Sequence, residues 1–211
     1  MQRPIGYLKL LWPAGLWFAA LFLTACSDNT PRPQQKYFDV SASAGKDTLT
    51  RVFRGEFYEP GLPCGYVNSR GDTLIPLGRY AVCFSQTIVR YGIVLAKKDS
   101  VFEWIAIDAR GRRLYEVYPF DNGPDYVSEG LFRIMRWGKI GYADTTGKVV
   151  ITPRFKCAQP FKNGRARVSY RCDKPEADAD GHTAMTGAAW FYIDINGKKI
   201  PPSKSGKANR E

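Results

Sequence analysis

Short apolar runs separated by glycine-containing turns make up most of the chain, and residues 137–168 show this pattern most clearly. The stretch reads WGKIGYADTTGKVVITPRFKCAQPFKNGRARV. It predicts a short strand, a tight turn at 144–147, a β-branched strand over 148–151, a break at Pro153 and a later strand. The apolar runs are far too short for helices, so the pattern favours β structure.

The same turn occurs four times, each time as Asp or Asn, two variable residues and Gly. A short polar side chain can cap the backbone of such a turn, and its last position needs a residue that tolerates positive φ. The four turns are 68–71, 108–111, 144–147 and 194–197. Apolar residues lie five positions before each glycine (Tyr66, Ala106, Tyr142, Tyr192) and three positions after it (Leu74, Leu114, Val150, Ile200). The glycines are 40, 36 and 50 residues apart, which indicates a repeat array of hairpins.

The third of these copies resembles the WG (or KWG) β-repeat family. The residues that carry the resemblance are Gly141, Tyr142, Asp144, Gly147, Lys148, Val150, Ile151, Pro153, Phe155, Phe161, Gly164, Ala166 and Val168. Weaker likeness covers 64–95, 104–134 and 190–200, and the second copy departs from the pattern with Ile105 and Ala106 in place of Gly-Tyr. The resemblance implies a β architecture and a binding role, without general catalytic residues.

These patterns predict an all-β domain over residues 48–200, built as an array of antiparallel hairpins stacked in sequence order. An isolated hairpin is marginal in water, so each copy must bury its apolar side against a neighbour. A small closed β-propeller is the alternative, because about 40 residues per copy is also blade-sized. In a propeller, the strand over 49–57 would pair with 190–200.

Residues 1–25 have the pattern of a bacterial lipoprotein signal peptide. Arg3 and Lys9 precede an uncharged run over 10–25, and the run Leu-Thr-Ala-Cys that ends at Cys26 follows the lipobox. The 16 uncharged residues are short for a spanning helix, which needs about 20. We therefore expect the Cys26 thiol to be lipidated, with acyl chains of the palmitate class holding the protein in the membrane. Ser27 favours the outer membrane, and the periplasmic and surface faces remain open alternatives.

Two further segments lack any apolar period. Residues 26–47 are polar and interrupted by Pro31 and Pro33, which predicts a flexible tether behind the lipidated cysteine. Residues 201–211 begin with Pro201 and Pro202 and continue as a polar run, which predicts a disordered tail.

Four cysteines remain when Cys26 is set aside: Cys64, Cys83, Cys157 and Cys172. Four thiols in an oxidising compartment allow three pairings. The first choice joins Cys157 to Cys172, which flank one hairpin, and Cys64 to Cys83. Free buried thiols are the alternative.

Charge gives the only indication of a ligand. The formal charge is +11, and loss of Arg3 and Lys9 with the signal peptide leaves +9. Alternation over 165–172 places Ala166, Val168, Tyr170 and Cys172 on the core face and Arg165, Arg167, Ser169 and Arg171 on the other face. With Arg133 and Arg136 of the preceding copy, these arginines predict a basic stripe for an anionic envelope polymer or protein. An ordinary solvated face is the alternative, and nucleic acid is the least expected partner.

No catalytic constellation is apparent. The chain has one histidine, His182, and the acidic run around it does not fit a calcium loop, so neither a metal nor a cofactor is expected. Trp104 and Trp190 are expected to pack between copies. The favoured function is a noncatalytic envelope lipoprotein that binds through its repeats. The alternatives are a glycan- or peptide-acting enzyme using carboxylates such as Glu103, Asp108, Asp121 or Asp125, and a structural spacer or assembly subunit.

Overall fold

The computed structural model describes residues 47–172 and 189–201, and every element in these ranges is a β-strand. No helix in the described ranges is long and apolar enough to cross a membrane. The predicted signal peptide, almost all of the tether and the tail beyond Pro201 lie outside the described residues. So do His182 and the rest of the insertion over 173–188.

The described residues form seventeen strands. In chain order they are β1 (Leu49–Phe53), β2 (Cys64–Val67), β3 (Thr73–Tyr80), β4 (Val82–Cys83), β5 (Thr87–Ile88), β6 (Gly92–Lys98), β7 (Val101–Ile107), β8 (Arg113–Val117), β9 (Pro119–Phe120), β10 (Gly123–Pro124), β11 (Leu131–Arg136), β12 (Lys139–Asp144), β13 (Val149–Phe155), β14 (Cys157–Ala158), β15 (Ala166–Ser169), β16 (Phe191–Ile193) and β17 (Lys199–Ile200).

Each copy of the repeat is a three-stranded antiparallel meander, one strand more than a hairpin. Copy 1 is β1–β3, copy 2 is β6–β8, copy 3 is β11–β13 and copy 4 is β15–β17, and the repeated turn joins the second strand to the third. Residues 81–91, 118–130 and 156–165 are the first, second and third links between copies. The predicted all-β repeat fold is therefore confirmed.

The strands form three main sheets and one two-stranded ribbon. Their orders are β3-β2-β1-β5, β13-β12-β11-β8-β7-β6-β4, β14-β15-β16-β17 and β10-β9. Strand β1 pairs with β2 and β5, whereas β16 pairs with β15 and β17. The pairing of 49–57 with 190–200 that a closed propeller needs is therefore not formed, and that alternative is wrong.

The four turns have the geometry that their sequence predicts. In the third, the Asp144 carboxylate accepts hydrogen bonds from the backbone N–H groups of Thr146 (2.9 Å) and Lys148 (3.1 Å). The other three turns repeat these contacts. The turn glycines have φ between +71° and +85°. Capping side chain and glycine thus fix the same corner in all four copies.

A β-bulge in copies 1 to 3 shifts the buried position by one residue from the prediction. In copy 3, Tyr142 pairs with Ile151 and Ala143 with Val149, so Val150 is bulged and 38 % exposed. Leu74 of copy 1 is similarly displaced and 46 % exposed. The core residue is instead the fourth after each glycine: Ile75, Tyr115 or Ile151.

Pro153 does not break its strand, contrary to prediction. It lies inside β13, which forms an edge of the seven-stranded sheet. Proline is tolerated there because an edge strand leaves part of its backbone without a partner to bond.

Three apolar cores separate the four copies. In each, a copy contributes the face that carries the fifth residue before its turn glycine, here called its trailing face, and the next copy contributes the opposite, leading face. The first core joins Leu49, Tyr66 and Ile75 to Val94, Ile105 and Ile107. The second joins Ala106, Tyr115 and Val117 to Phe132, Ile134 and Ala143, and the third joins Leu131, Tyr142 and Ile151 to Ala166, Val168 and Ile193. The copies therefore stack in sequence order, as a repeat array must to shield its apolar faces.

Candidate functional site

An arginine and a tyrosine recur opposite each other on the trailing faces. The cross-strand pairs are Arg51 with Tyr66, Arg133 with Tyr142 and Arg167 with Tyr192, in copies 1, 3 and 4. Copy 2 has Ile93 opposite Ala106 at the same register position. The array thus repeats a hydrogen-bonding pair as well as an apolar pattern.

In copy 3 the arginine is buried in an ion pair. The side chains of Arg133 and Asp125 are 5 % and 1 % exposed, and two guanidinium nitrogens lie 2.6 and 2.9 Å from the carboxylate oxygens. A third nitrogen donates to the Ala158 carbonyl at 3.2 Å, and the guanidinium stacks on Tyr118. Arg133 is therefore removed from the predicted basic stripe, because its charge is neutralised in the interior rather than offered to solvent.

The internal pairs bind backbone carbonyls of the link that follows their copy. Arg51 donates to the Cys83 carbonyl at 2.9 Å, and the Tyr66 hydroxyl donates to the Ser85 carbonyl at 2.8 Å. In copy 3 the Tyr142 hydroxyl donates to the Gln159 carbonyl at 2.7 Å. Burial raises the pKa of the Tyr66 and Tyr142 hydroxyls, so both stay protonated and donate at any physiological pH.

Copy 4 presents the same pair on a face that no further copy in the described residues covers. Arg167 is exposed and its guanidinium lies 4.8 Å from the Trp190 ring, while Arg165 lies 5.1 Å from the Tyr192 ring. Tyr192 pairs with Ile200 on the neighbouring strand. These five residues, Arg165, Arg167, Trp190, Tyr192 and Ile200, are called the end face. It combines two cations with two aromatic rings.

The other residues of the predicted stripe lie apart from this arrangement. Arg136 ends β11 in copy 3 and stacks on exposed Trp137 at 4.2 Å. Arg171 is exposed but follows the end of β15. Alternation fails at Ser169, which is buried with its hydroxyl accepting from the Arg171 N–H, whereas Tyr170 is exposed. Of the five predicted arginines, the structure brings together Arg165 and Arg167.

Both preferred cysteine pairings are present. Cys64 and Cys83 are joined with Cα atoms 6.1 Å apart, and Cys157 and Cys172 with Cα atoms 5.4 Å apart. The first ties copy 1 to the first link. The second ties the third link to the segment that leaves β15, and so anchors one border of copy 4.

The carboxylates considered for catalysis have structural roles or lie in separate parts of the fold. Glu103 bonds Arg113 at 2.7 Å, Asp108 caps its turn and bonds Arg112 at 2.7 Å, and Asp125 is held by Arg133. Asp121 lies in the turn between β9 and β10. Within 47–172 and 189–201, no group of three or more His, Cys, Asp or Glu side chains could hold a metal.

A pocket of about 300 Å³ lies between the first link and the third turn. Its lining residues are Thr87, Val89, Arg90, Tyr91, Thr145 and Thr146. The hydroxyls and the guanidinium could hydrogen-bond a small polar ligand. The Tyr91 pKa is raised by burial and by the nearby Asp144 carboxylate, which keeps its hydroxyl protonated.

The sequence did not reveal the pocket because its two sides come from distant segments. The sequence did, however, contain a signal for the Arg–Tyr pair. An arginine stands at the same register position in copies 1, 3 and 4, and only strand pairing shows that a tyrosine lies opposite. Trp104 is half-buried against the second core and packs edge-on against Phe84, whereas Trp190 lies on the end face.

Residues 140–171 match the family model described as the WG containing repeat. The match begins at β12 and extends past β15, so it covers the third turn, the third link and the first strand of copy 4. No curated protein and no solved structure matches the chain. This match supports the WG repeat family for the chain.

Proposed function

We propose that this protein is a noncatalytic, lipid-anchored protein of the cell envelope that binds a macromolecule through its stacked repeats. The lipobox that ends at Cys26 supports the anchoring, and the polar tether over 26–47 supports a domain held away from the lipid surface. The outer membrane is the expected site. The array itself supports binding rather than chemistry, because its strongest polar groups serve turns and internal pairs.

The end face is the single observation that carries the proposal. Trp190 and Tyr192 are half-buried, and aromatic rings next to arginine side chains are enriched at binding surfaces because they combine a large contact area with directional donors. Each cation lies about 5 Å from a ring, at 5.1 Å for Arg165 and 4.8 Å for Arg167, so the side chains restrict one another before any ligand arrives.

Retention of envelope material tests the proposal. The full acylated protein is immobilised, incubated with detergent-solubilised envelope and washed at low salt, and the retained polymer and protein are quantified. A double variant, Arg165→Gln with Arg167→Gln, should lose at least about tenfold of the retained material, because two positive contacts are removed.

The matched control is Arg70→Gln with Arg110→Gln, which removes the same charge from exposed turn positions of copies 1 and 2. It should retain as much material as the unaltered protein. Equal retention by all three proteins would refute the proposal. Shortening of a retained glycan or peptide during the incubation would instead support the enzyme alternative. Cys26→Ala should also release the protein from membrane fractions, and membrane retention of this variant would refute lipid anchoring.

A further inference from the structure

The end face is the equivalent of surfaces that are occupied elsewhere in the same molecule. The trailing faces of copies 1 and 3 carry the same Arg–Tyr pair at the same register, and the following link lies across each of them. What those two faces bind is therefore a template for what the face of copy 4 can bind.

The template ligand is a short extended stretch of polypeptide. In the first link it begins at the end of β4, and its carbonyls at Cys83 and Ser85 accept from Arg51 and Tyr66. In the third link it includes β14, whose Ala158 carbonyl accepts from Arg133. The pair thus recognises backbone carbonyls, which every polypeptide carries, with contacts of 2.7 to 3.2 Å.

A carboxylate is the second component of the template. The Asp125 carboxylate accepts hydrogen bonds from two nitrogens of the Arg133 guanidinium, and it also accepts one from the Arg133 backbone N–H at 2.7 Å. In the part of the chain that the structure describes, neither the Arg167 guanidinium nor the Tyr192 hydroxyl has a hydrogen-bond partner. Among the described residues, the donors that the template satisfies therefore have no acceptor on copy 4.

Copy 4 differs from the internal copies in a way that disfavours another repeat as its occupant. Cross-strand register places Arg165 where copies 1 and 3 have the buried Leu49 and Leu131. Burying this second cation under a complete apolar face would be costly without a compensating charge. A second copy of the chain is similarly disfavoured, because each chain without residues 1–25 has a formal charge of +9. The leading face of copy 1 carries Val52 and Val67, both half-exposed.

We propose that the end face binds an extended segment of a partner protein that carries a carboxylate side chain. Arg167 and Tyr192 donate to its backbone carbonyls, Arg165 pairs with the carboxylate, and Trp190 covers the apolar side of the segment. This proposal rests on the proposed binding function and specifies its ligand. As in other recognition of extended peptides, the hydrogen bonds go to the main chain of the ligand, but side chains of a sheet face supply the donors here.

Fluorescence anisotropy with two labelled hexapeptide mixtures tests the proposal. One mixture has Asp fixed at the third position and Val, Thr, Ser, Ala or Gln elsewhere; the other has Asn in place of Asp. The full acylated chain in detergent should bind the Asp mixture at least about tenfold more tightly than the Asn mixture, since a charge-assisted hydrogen bond is lost. Arg167→Gln should weaken binding about tenfold, and Tyr192→Phe should weaken it about threefold to tenfold.

Arg70→Gln is the matched control and should leave the affinity unchanged. Equal affinity for the two mixtures, or an unaltered affinity in Arg167→Gln, would overturn the proposal. So would tighter binding of an acidic polysaccharide such as alginate than of the Asp mixture, or a concentration-dependent dimer that Arg167→Gln abolishes, since these identify a glycan or a second copy as the occupant.

The two proposals fail differently. If the peptides do not bind but the Arg165/Arg167 double variant still loses envelope material, the peptide proposal falls and the binding function stands. If neither experiment responds to the end-face variants, both proposals fall.

Discussion

Copies 2 and 3 have similar turns and the same strand order, but their third strands pair differently with their second strands. In copy 3, Tyr142 pairs with Ile151 and Ile140 with Phe155, so the three residues 152–154 form a bow opposite Gly141 alone. In copy 2, Ile105 pairs with Glu116 and Ala106 with Tyr115, without any such bow. Copy 1 follows copy 3, with Gly65 opposite four bowed residues.

The glycine explains the bow. A Cβ atom on Gly141 would lie 2.3 Å from the Ile151 carbonyl oxygen and 2.5 Å from the Pro153 nitrogen. On Gly65 it would lie 2.4 Å from the Ile75 carbonyl oxygen. Only a residue without a side chain allows the third strand to approach so closely. Copy 2 has Ile105 at this position, and its third strand keeps a regular pairing there.

The continuity of the sheets follows from this difference. Strand β8 stays straight, so its far edge pairs with β11 at Val117 and Glu116, and copies 2 and 3 share one seven-stranded sheet. The bowed strands β3 and β13 end their sheets. This position therefore separates copies that are joined by hydrogen bonds between backbones from copies that are joined only through side chains.

The largest expected effect tests the buried ion pair that copy 2 lacks, because copy 2 has Ile93 at the position of Arg133 and Ser85 at the position of Asp125. Asp125→Ala should reduce the free energy of unfolding by about 3–5 kcal/mol, because Arg133 would be left buried without its counter-charge. Equilibrium urea unfolding measures the change.

Two further variants make that test specific. Asp72→Ala breaks an exposed ion pair with Arg70 and should cost less than about 1 kcal/mol. Joint replacement, Asp125→Ser with Arg133→Ile, copies Ser85 and Ile93 of copy 2, where the Ser85 hydroxyl accepts from the Ile93 N–H at 2.8 Å. It should recover most of the loss, because no buried charge and no unpaired backbone N–H is left. A loss from Asp125→Ala no larger than that from Asp72→Ala would contradict this account of copy 3.

A smaller effect is expected from adding a side chain at Gly141, which the bowed strand approaches closely. Gly141→Ala should destabilise the protein by about 1–3 kcal/mol in urea unfolding, because backbone atoms rather than flexible side-chain ends must move. Gly123→Ala is the control, since its Cβ would meet nothing nearer than the Phe120 carbonyl oxygen at 3.8 Å. The explanation of the bow fails if the two variants are equally stable.

A third effect isolates the tyrosine that copy 2 lacks. Tyr142→Phe removes the donor to the Gln159 carbonyl and should cost about 1 kcal/mol by urea unfolding. Tyr126→Phe removes a hydroxyl from a half-exposed ring and should change stability by less than about 0.5 kcal/mol. Indistinguishable variants would show that the Tyr142 hydroxyl contributes nothing to the docking of the third link.

The smallest effect concerns Glu116, which lies in β8, the straight third strand of copy 2. Its pKa is raised above the ordinary value of 4.5, chiefly by burial and then by Glu103. The folded state therefore binds this proton more tightly than the unfolded state, and stability falls as the pH rises from about 4.5 through the raised pKa. Glu116→Gln should remove this fall and stabilise the protein at pH 7 by less than about 1 kcal/mol. Urea unfolding at several pH values measures it, and an unchanged pH profile would contradict it.

Local chemistry was readable from the sequence wherever it acts within a few residues. The turns at 68–71, 108–111, 144–147 and 194–197 follow from a short acceptor side chain and a glycine, and short apolar runs exclude helices. The all-β repeat fold followed from these signals alone. The sequence also shows Ile105 where copies 1 and 3 have a glycine, but the effect of this residue on the third strand could not be derived without the strand pairing.

The tertiary structure decided everything that depends on which segments meet. A bulge of one residue moved the buried position from Val150 to Ile151, and Arg133 and Arg167 are equivalent in register yet opposite in environment. One lies under the third link and a carboxylate, and the other lies on the last copy of the array. A sequence repeats its residues, but burial and charge depend on the neighbour that each copy packs against, and the last copy has no successor in the described chain.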